Sequence, residues 1–244
     1  MENQKLINTI YSMDEIDRHV IRLDPTKTIL FFDIDNTLLR TKSDIGSVEW
    51  VKWQEKIFTE HKGKHEFSVN KSLEDLYQSY QKWLITSNCE TELLEEHVLD
   101  LVNKYIFLGF KVVLVTARNK NTANTTFKQL SNHYNINNFY SHSIYFENEW
   151  ILYKNGICFA SGINKGCCID KLLQIFKLIF DFEPENIVFT DDSLSECTTV
   201  MNKFLKNEQN ILVFNYLFGQ KFQIIFNGLD KNDLHQKWIT FIND

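Results

Sequence analysis

Apolar residues along this chain fall into two kinds of run. The short ones are uninterrupted: Thr28-Ile29-Leu30-Phe31-Phe32, Lys111-Val112-Val113-Leu114-Val115, Asn186-Ile187-Val188-Phe189-Thr190 and Ile211-Leu212-Val213-Phe214. Runs of this length, rich in β-branched and aromatic residues and apolar on both faces, predict buried parallel strands. The longer ones are periodic, with apolar residues every three to four positions. They predict helices over Thr91–Leu108, Thr122–His133, Lys165–Phe180 and Ser193–Leu205. Strand alternating with helix predicts an α/β fold built on a doubly wound parallel sheet.

Two stretches break this rhythm. From Leu39 to about Ser87 the chain is helical in pattern and aromatic, with Trp50/Trp53/Ile57 and Leu73/Leu76/Tyr77/Tyr80/Leu84 on helix faces. This predicts a small helical cap over the strand ends, giving an α/β core of residues 1–40 and 88–244 and a cap of residues 41–87. The second stretch, Ser143–Ser161, alternates and holds Asn155-Gly156, a hairpin turn signal. A β-hairpin insertion is expected there. After Phe214, Asp233–Ile242 reads either as a closing helix with Trp238 packed inward or as a linker.

Composition narrows the function classes. A chain of 244 residues with 43% hydrophobic content supports one sizeable core and a smaller module. The net charge of −6 argues against a general grip on nucleic acid or anionic lipid. Met1–Leu6 lacks a continuous apolar region, so no secretory signal is expected, and no apolar run approaches a membrane span. Five cysteines, two of them adjacent, fit free thiols in a reducing compartment, packed as small hydrophobes. None has Arg six positions on, which excludes a Cys-x5-Arg phosphatase, and the seven histidines lack zinc-ligand spacing.

The strand ends carry the chemistry. The first three runs finish in Asp33, Thr116 and Asp191-Asp192, and a helix opens at Lys165. Ligands of open α/β sheets bind at the carboxyl ends of strands, so residues far apart in sequence are expected at one edge. Phe32-Asp33-Ile34-Asp35-Asn36-Thr37-Leu38, directly after a buried strand, resembles the first motif of the haloacid dehalogenase (HAD) superfamily. Val115-Thr116-Ala117-Arg118, Lys165 at a helix start, and Thr190-Asp191-Asp192-Ser193 with Glu196 resemble the following three motifs, in order. The likeness spans Thr28 to about Phe214 and implies a Rossmann-like core. Gly46-Ser47-Val48-Glu49-Trp50, and Asn155-Gly156-Ile157-Cys158-Phe159 before Lys165-Gly166, look more narrowly like a poorly characterised HAD subgroup of intracellular bacteria, which includes host-directed phosphotyrosine phosphatases.

The resemblance implies a Mg²⁺-dependent phosphatase. Asp33 would attack phosphorus and form an aspartyl-phosphate, and Asp35 would act as general acid and then base. Thr116 would hold phosphoryl oxygens and Lys165 would offset the crowded acids. The metal would be held by Asp33, the Asp35 backbone carbonyl and the Asp191-Asp192 pair, with Asp192 favoured as direct ligand and the reverse left open. Asn36, Ala117 and Arg118 are candidate substrate contacts, Arg118 having a structural role as its alternative reading. Mg²⁺ suits such a set because it prefers hard oxygen ligands. Thr116 as a helix N-cap, Lys165 as a solvated lysine and the cap aromatics as cap core are the plain alternatives.

Phosphotyrosine, or a phosphoprotein carrying it, is the implied substrate; sugar phosphates or nucleotides form the second class, and a catalytically silent binding module the third. A silent module is expected to have lost Asp33, Asp35 or Lys165, and all are present. Delivery into a host cell without a classical signal peptide is a further implication of the subgroup. Oligomeric state is not readable.

Overall fold

The computed structural model of the protein describes residues 6–69, 71–87, 89–148 and 151–243. All but Leu6 of the signal-peptide reading at Met1–Leu6, and two positions of the hairpin insertion, 149 and 150, lie outside the described residues. The chain runs β1 (Ile7–Ile10), α1 (Asp14–Val20), β2 (Thr28–Phe32), β3 (Leu39–Thr41), α2 (Val48–His61), α3 (Leu73–Thr86), β4 (Thr91–Leu93), α4 (Val98–Phe107), β5 (Lys111–Thr116) and α5 (Ala123–Ser131). It continues with β6 (Tyr145–Glu147), β7 (Leu152–Lys154), β8 (Ile157–Phe159), α6 (Lys165–Phe180), β9 (Asn186–Asp191), α7 (Leu194–Phe204), β10 (Asn210–Tyr216), α8 (Gln220–Asn227) and α9 (Lys231–Asn243).

Among the described residues, eight strands form one sheet in the order β1-β10-β9-β2-β5-β8-β7-β6. Neighbours are parallel from β1 to β8 and antiparallel at β8/β7 and β7/β6. Strand β2 is buried along its whole length, and its period of two divides the core. Leu30 and Phe32 join a cluster with Ile16 and Val20 of α1 and Val102 and Tyr105 of α4. Ile29 and Phe31 join the opposite cluster, with Leu172 and Phe176 of α6 and Val200 and Phe204 of α7. Helices therefore cover both faces, as in a Rossmann-like doubly wound fold. No described helix is long and apolar enough to cross a membrane.

The helical insertion comprises α2 and α3, with β3 and β4 as a two-stranded antiparallel ribbon at its base. Its apolar side makes a third cluster of Trp50, Leu76, Trp83 and Leu84, closed by Phe226, Leu234 and Trp238 of the two C-terminal helices. Trp50 and Trp238 lie 4.1 Å apart between ring centroids. Of the two readings of the C-terminal stretch, the closing helix holds: Trp238 is fully buried, against the insertion.

Gly46 lets the chain enter α2. It has φ +68°, and a Cβ there would lie 2.4 Å from the Trp83 ring. Gly46→Ala combines a left-handed backbone with overpacking, so it is expected to cost about 2 kcal/mol or more. A thermal melt checks this; an unchanged midpoint would mean that neither the left-handed backbone nor the Trp83 contact is costly there.

Two expectations need correction, the single helix over Thr91–Leu108 and the burial of the cysteines. Thr91–Leu108 is not one helix: Thr91–Leu93 is strand β4, and the helix starts only at Val98. Leu93, Leu94 and Leu101 share helical spacing, but pairing of β4 with β3 and the Leu94 N–H bond to the Leu38 carbonyl (3.0 Å) override it. The insertion before Lys165 does turn at Asn155-Gly156, both at positive φ. Its last strand, β8, pairs in parallel with β5, so the hairpin widens the main sheet. Of the cysteines, Cys158, Cys168 and Cys197 are buried as expected, whereas Cys167 is exposed; all five are free thiols.

Candidate active site

Register brings the acidic strand ends together. Phe32 pairs with Thr190 on β9 and with Leu114 on β5, so Asp33, Asp191 and Thr116 emerge at the same sheet edge. After Phe32 the chain makes a tight loop in which the Leu38 and Leu39 N–H groups donate to the Ile34 carbonyl, at 3.0 and 2.9 Å. Ile34 and Leu38 are fully buried and pin this loop. The residues on either side of Ile34, Asp33 and Asp35, face a cleft of about 570 Å³. Asn36 completes the turn at φ +56°, a conformation that Asn tolerates better than most residues.

Lys165 begins α6, whose first turn is capped by Asn164 Oδ1 accepting from Cys167 N at 2.9 Å. Its backbone N–H donates to Glu196 Oε2 (2.9 Å), tying the α6 start to α7. The buried ammonium bridges two acids: it donates to Asp33 Oδ1 and, at 2.6 Å, to Asp191 Oδ2. Asp191 is further fixed by Ser193 N–H on Oδ1 (2.8 Å).

Asp33, Asp191 and Asp192 each offer a carboxylate oxygen, all within 4.8 Å of one another. Burial pushes the Asp33 carboxyl well above the usual range, and its acidic neighbours Asp191, Asp192 and Asp35 push the same way against Lys165. Burial also raises Asp191, opposed chiefly by Lys165. Burial works against the charge on Lys165, but Asp191 and Asp33 outweigh it and hold the ammonium protonated. Three converging carboxylates with one lysine between two of them form an oxygen-rich, charge-deficient set. It fits a hard divalent cation.

Asp35 stands apart from this group. Both its oxygens accept from Arg118, Oδ2 from Nε at 2.8 Å and Oδ1 from Nη2 at 2.7 Å. The third guanidinium nitrogen, Nη1, donates to Thr126 Oγ1 (3.0 Å) and Gln129 Oε1 (2.7 Å). Gln129 in turn donates to the Cys89 carbonyl at 3.1 Å, where the insertion rejoins the core. Arg118, a candidate substrate contact in the sequence, thus spends its guanidinium on orienting Asp35.

Two other candidates make contacts within the protein. Asn36 turns its side-chain amide away from the cleft and donates to Glu49 Oε1 of α2 at 2.6 Å. Thr116 is fully buried, and its hydroxyl accepts from Arg118 N–H (3.1 Å), fixing the bend after β5. Ala117 lines the cleft beside Arg118 and Asn119.

The insertion supplies the remaining wall. Val48, Val51, Lys52 and Glu55 come from α2 at helical spacing, and Tyr77, Tyr80, Gln81 and Leu84 from α3. Lys52 Nζ lies 3.1 Å from Asp192 Oδ2. Sequence reasoning took the aromatic cap residues chiefly as cap core and passed over Lys52. The stripe Val48/Val51/Lys52/Glu55 after the capping Ser47 was the available signal.

A family model described as "Protein of unknown function (DUF2608)" matches residues 9–243. Among solved structures, the chain is similar to the HAD domain of effector protein Lem4 from Legionella pneumophila, in an inactive mutant form, at 16% identity and a TM-score of 0.40, covering 84% of this chain and 95% of that one. It is also similar to a structure named as a haloacid dehalogenase-like hydrolase from Bacteroides fragilis, at 15% identity and a TM-score of 0.43, covering 80% and 99%. No curated protein matches the chain.

Proposed function

Because the chain belongs to this family of unknown function, DUF2608, its activity has to be read from its own site, and we propose that it is a Mg²⁺-dependent phosphomonoester hydrolase working through an aspartyl-phosphate on Asp33. The observation that carries this reading is the convergence of Asp33, Asp191 and Asp192, the first two bridged by Lys165, with Asp35 held separately beside them. Mg²⁺, held by those three carboxylates and the Asp35 backbone carbonyl, would supply the positive charge that lets a carboxylate approach a phosphate dianion.

The chain's own residues account for the rest. Lys165 fixes the Asp33 rotamer and favours its ionised form. The Asp33 carboxylate forms a bond to phosphorus while the ester P–O bond breaks. Asp35, oriented by Arg118, delivers a proton to the leaving oxygen and then takes one from the water that opens the acyl phosphate. Hydrolysis of p-nitrophenyl phosphate tests the reading. Turnover is expected with Mg²⁺, to vanish in excess EDTA and to return on adding Mg²⁺ back. An equal rate in EDTA would refute the metal-dependent scheme.

For substrate, the wall of Val51, Tyr77, Tyr80 and Leu84 facing Asp33 supports an aryl phosphate such as phosphotyrosine, free or on a protein. Glu55, Gln81 and Asn119 on the same cleft support a sugar phosphate as the second reading. A panel of phosphotyrosine peptides against sugar phosphates, compared by kcat/KM, separates the two.

A further inference from the structure

Among the described residues, three cationic side chains line the cleft: Arg118, Lys165 and Lys52. Arg118 has each of its three side-chain nitrogens bonded to Asp35, Thr126 or Gln129. Lys165 is 3% exposed and held by Asp33 and Asp191. Lys52 differs: its side chain is 50% exposed, and its ammonium makes an ion pair with Asp192, leaving donors toward the open cleft. An incoming dianion would therefore meet Lys52 first.

Lys52 is also unusually well placed for a lysine on a surface helix. The first turn of α2 is tied down on two sides. Glu49 accepts from the Asn36 amide in the loop that carries Asp33 and Asp35, and Trp50 is buried against Trp238. Lys52 follows Glu49 by three residues, on the same side of the helix, and so is carried to Asp192, 140 positions away.

We infer that Lys52 is a substrate-binding residue, supplied by the insertion, whose ammonium grips the phosphoryl oxygens opposite Lys165. Without ligand it rests on Asp192; a phosphoryl dianion competes for the same donors and replaces that contact. The inference rests on the phosphohydrolase reading for its ligand class and assigns the insertion a direct part in binding the reacting group. It also makes the Lys52–Asp192 pair a contact between insertion and core that ligand exchanges for its own.

The test uses the full chain in Mg²⁺ buffer, with inorganic phosphate as the probe by titration calorimetry and p-nitrophenyl phosphate for kinetics. Lys52→Met is expected to weaken phosphate roughly ten- to hundredfold, the loss of one charge-assisted hydrogen bond. It should raise KM by a larger factor than it lowers kcat, and Lys52→Arg should recover most of the affinity. Equal phosphate affinity in wild type and Lys52→Met overturns the inference even if the enzyme is active. A wild type that binds phosphate through Lys52 but hydrolyses nothing overturns the hydrolase reading and leaves Lys52 in place. A wild type that neither binds phosphate nor hydrolyses p-nitrophenyl phosphate overturns both.

Discussion

Asp33→Asn will yield a folded protein without phosphatase activity. Asn keeps the shape of the side chain and a carbonyl oxygen that accepts from Lys165, but it offers no carboxylate to phosphorus. Losing the nucleophile of a covalent mechanism typically removes roughly 10⁴-fold or more of kcat. Stability should move little, or upward in EDTA. Burial and the charges of Asp191, Asp192 and Asp35 all disfavour the native carboxylate, and Lys165 is the chief group offsetting them. The expected pair of results is therefore loss of p-nitrophenyl phosphate hydrolysis with a melting midpoint at or above that of wild type. Retained turnover would move the nucleophile elsewhere, with Asp191 the next carboxylate on Lys165.

Arg118→Lys will slow the enzyme in a way that depends on the leaving group. Lysine keeps the positive charge but cannot reproduce the fork that fixes both Asp35 oxygens while bonding Thr126 and Gln129. If Asp35 is the proton donor, a mispositioned donor harms poor leaving groups most. An alkyl phosphate, whose alkoxide needs its proton in the transition state, should lose about 10²-fold in kcat/KM, which reports phosphoryl transfer and excludes the later step in which Asp35 acts as base. The p-nitrophenolate ion leaves without a proton, so p-nitrophenyl phosphate should lose far less. Equal losses on the two substrates would mean that Arg118 supports the fold or binds phosphate and does not orient a general acid. Gln129→Met, which leaves the Arg118–Asp35 contact but removes its outer support, should show the same pattern in weaker form.

Much of the scaffold was legible because its signals are local. Thr28–Phe32 is a five-residue apolar run ending at an acid, and the structure makes it a fully buried strand with Asp33 at its end. The periodic stretch Lys165–Phe180 is α6 with those bounds. Short, mixed elements were not legible. Strand β1, Ile7–Ile10, has only Ile10 buried and owes its existence to pairing with β10. Strand β4 depends in the same way on β3.

In the site, the sequence supplied the residue types, and the fold decided their partners. Arg118 reaches Asp35 across 83 positions, and Lys52 reaches Asp192 across 140. Neither contact leaves a mark in spacing. Asn36 stands next to Asp35 in sequence, yet its positive φ and the buried Glu49 turn its side chain out of the cleft. Motif order therefore assembled the acids correctly at one edge while leaving open which polar neighbours touch substrate and which brace the machinery. Lys52 was hidden for a further reason: a lysine on an amphipathic helix is ordinarily a solvated one.

The central claim is that phosphate passes through a covalent bond to Asp33, and chemical trapping tests it most directly. Borohydride reduces an acyl phosphate on aspartate to homoserine, so wild-type protein quenched during turnover with Mg²⁺ and reduced should show homoserine at position 33 by peptide mass spectrometry. Protein reduced without substrate should keep aspartate there. Homoserine at another aspartate, or steady hydrolysis with position 33 unmodified under conditions that trap acyl phosphates, would contradict the account.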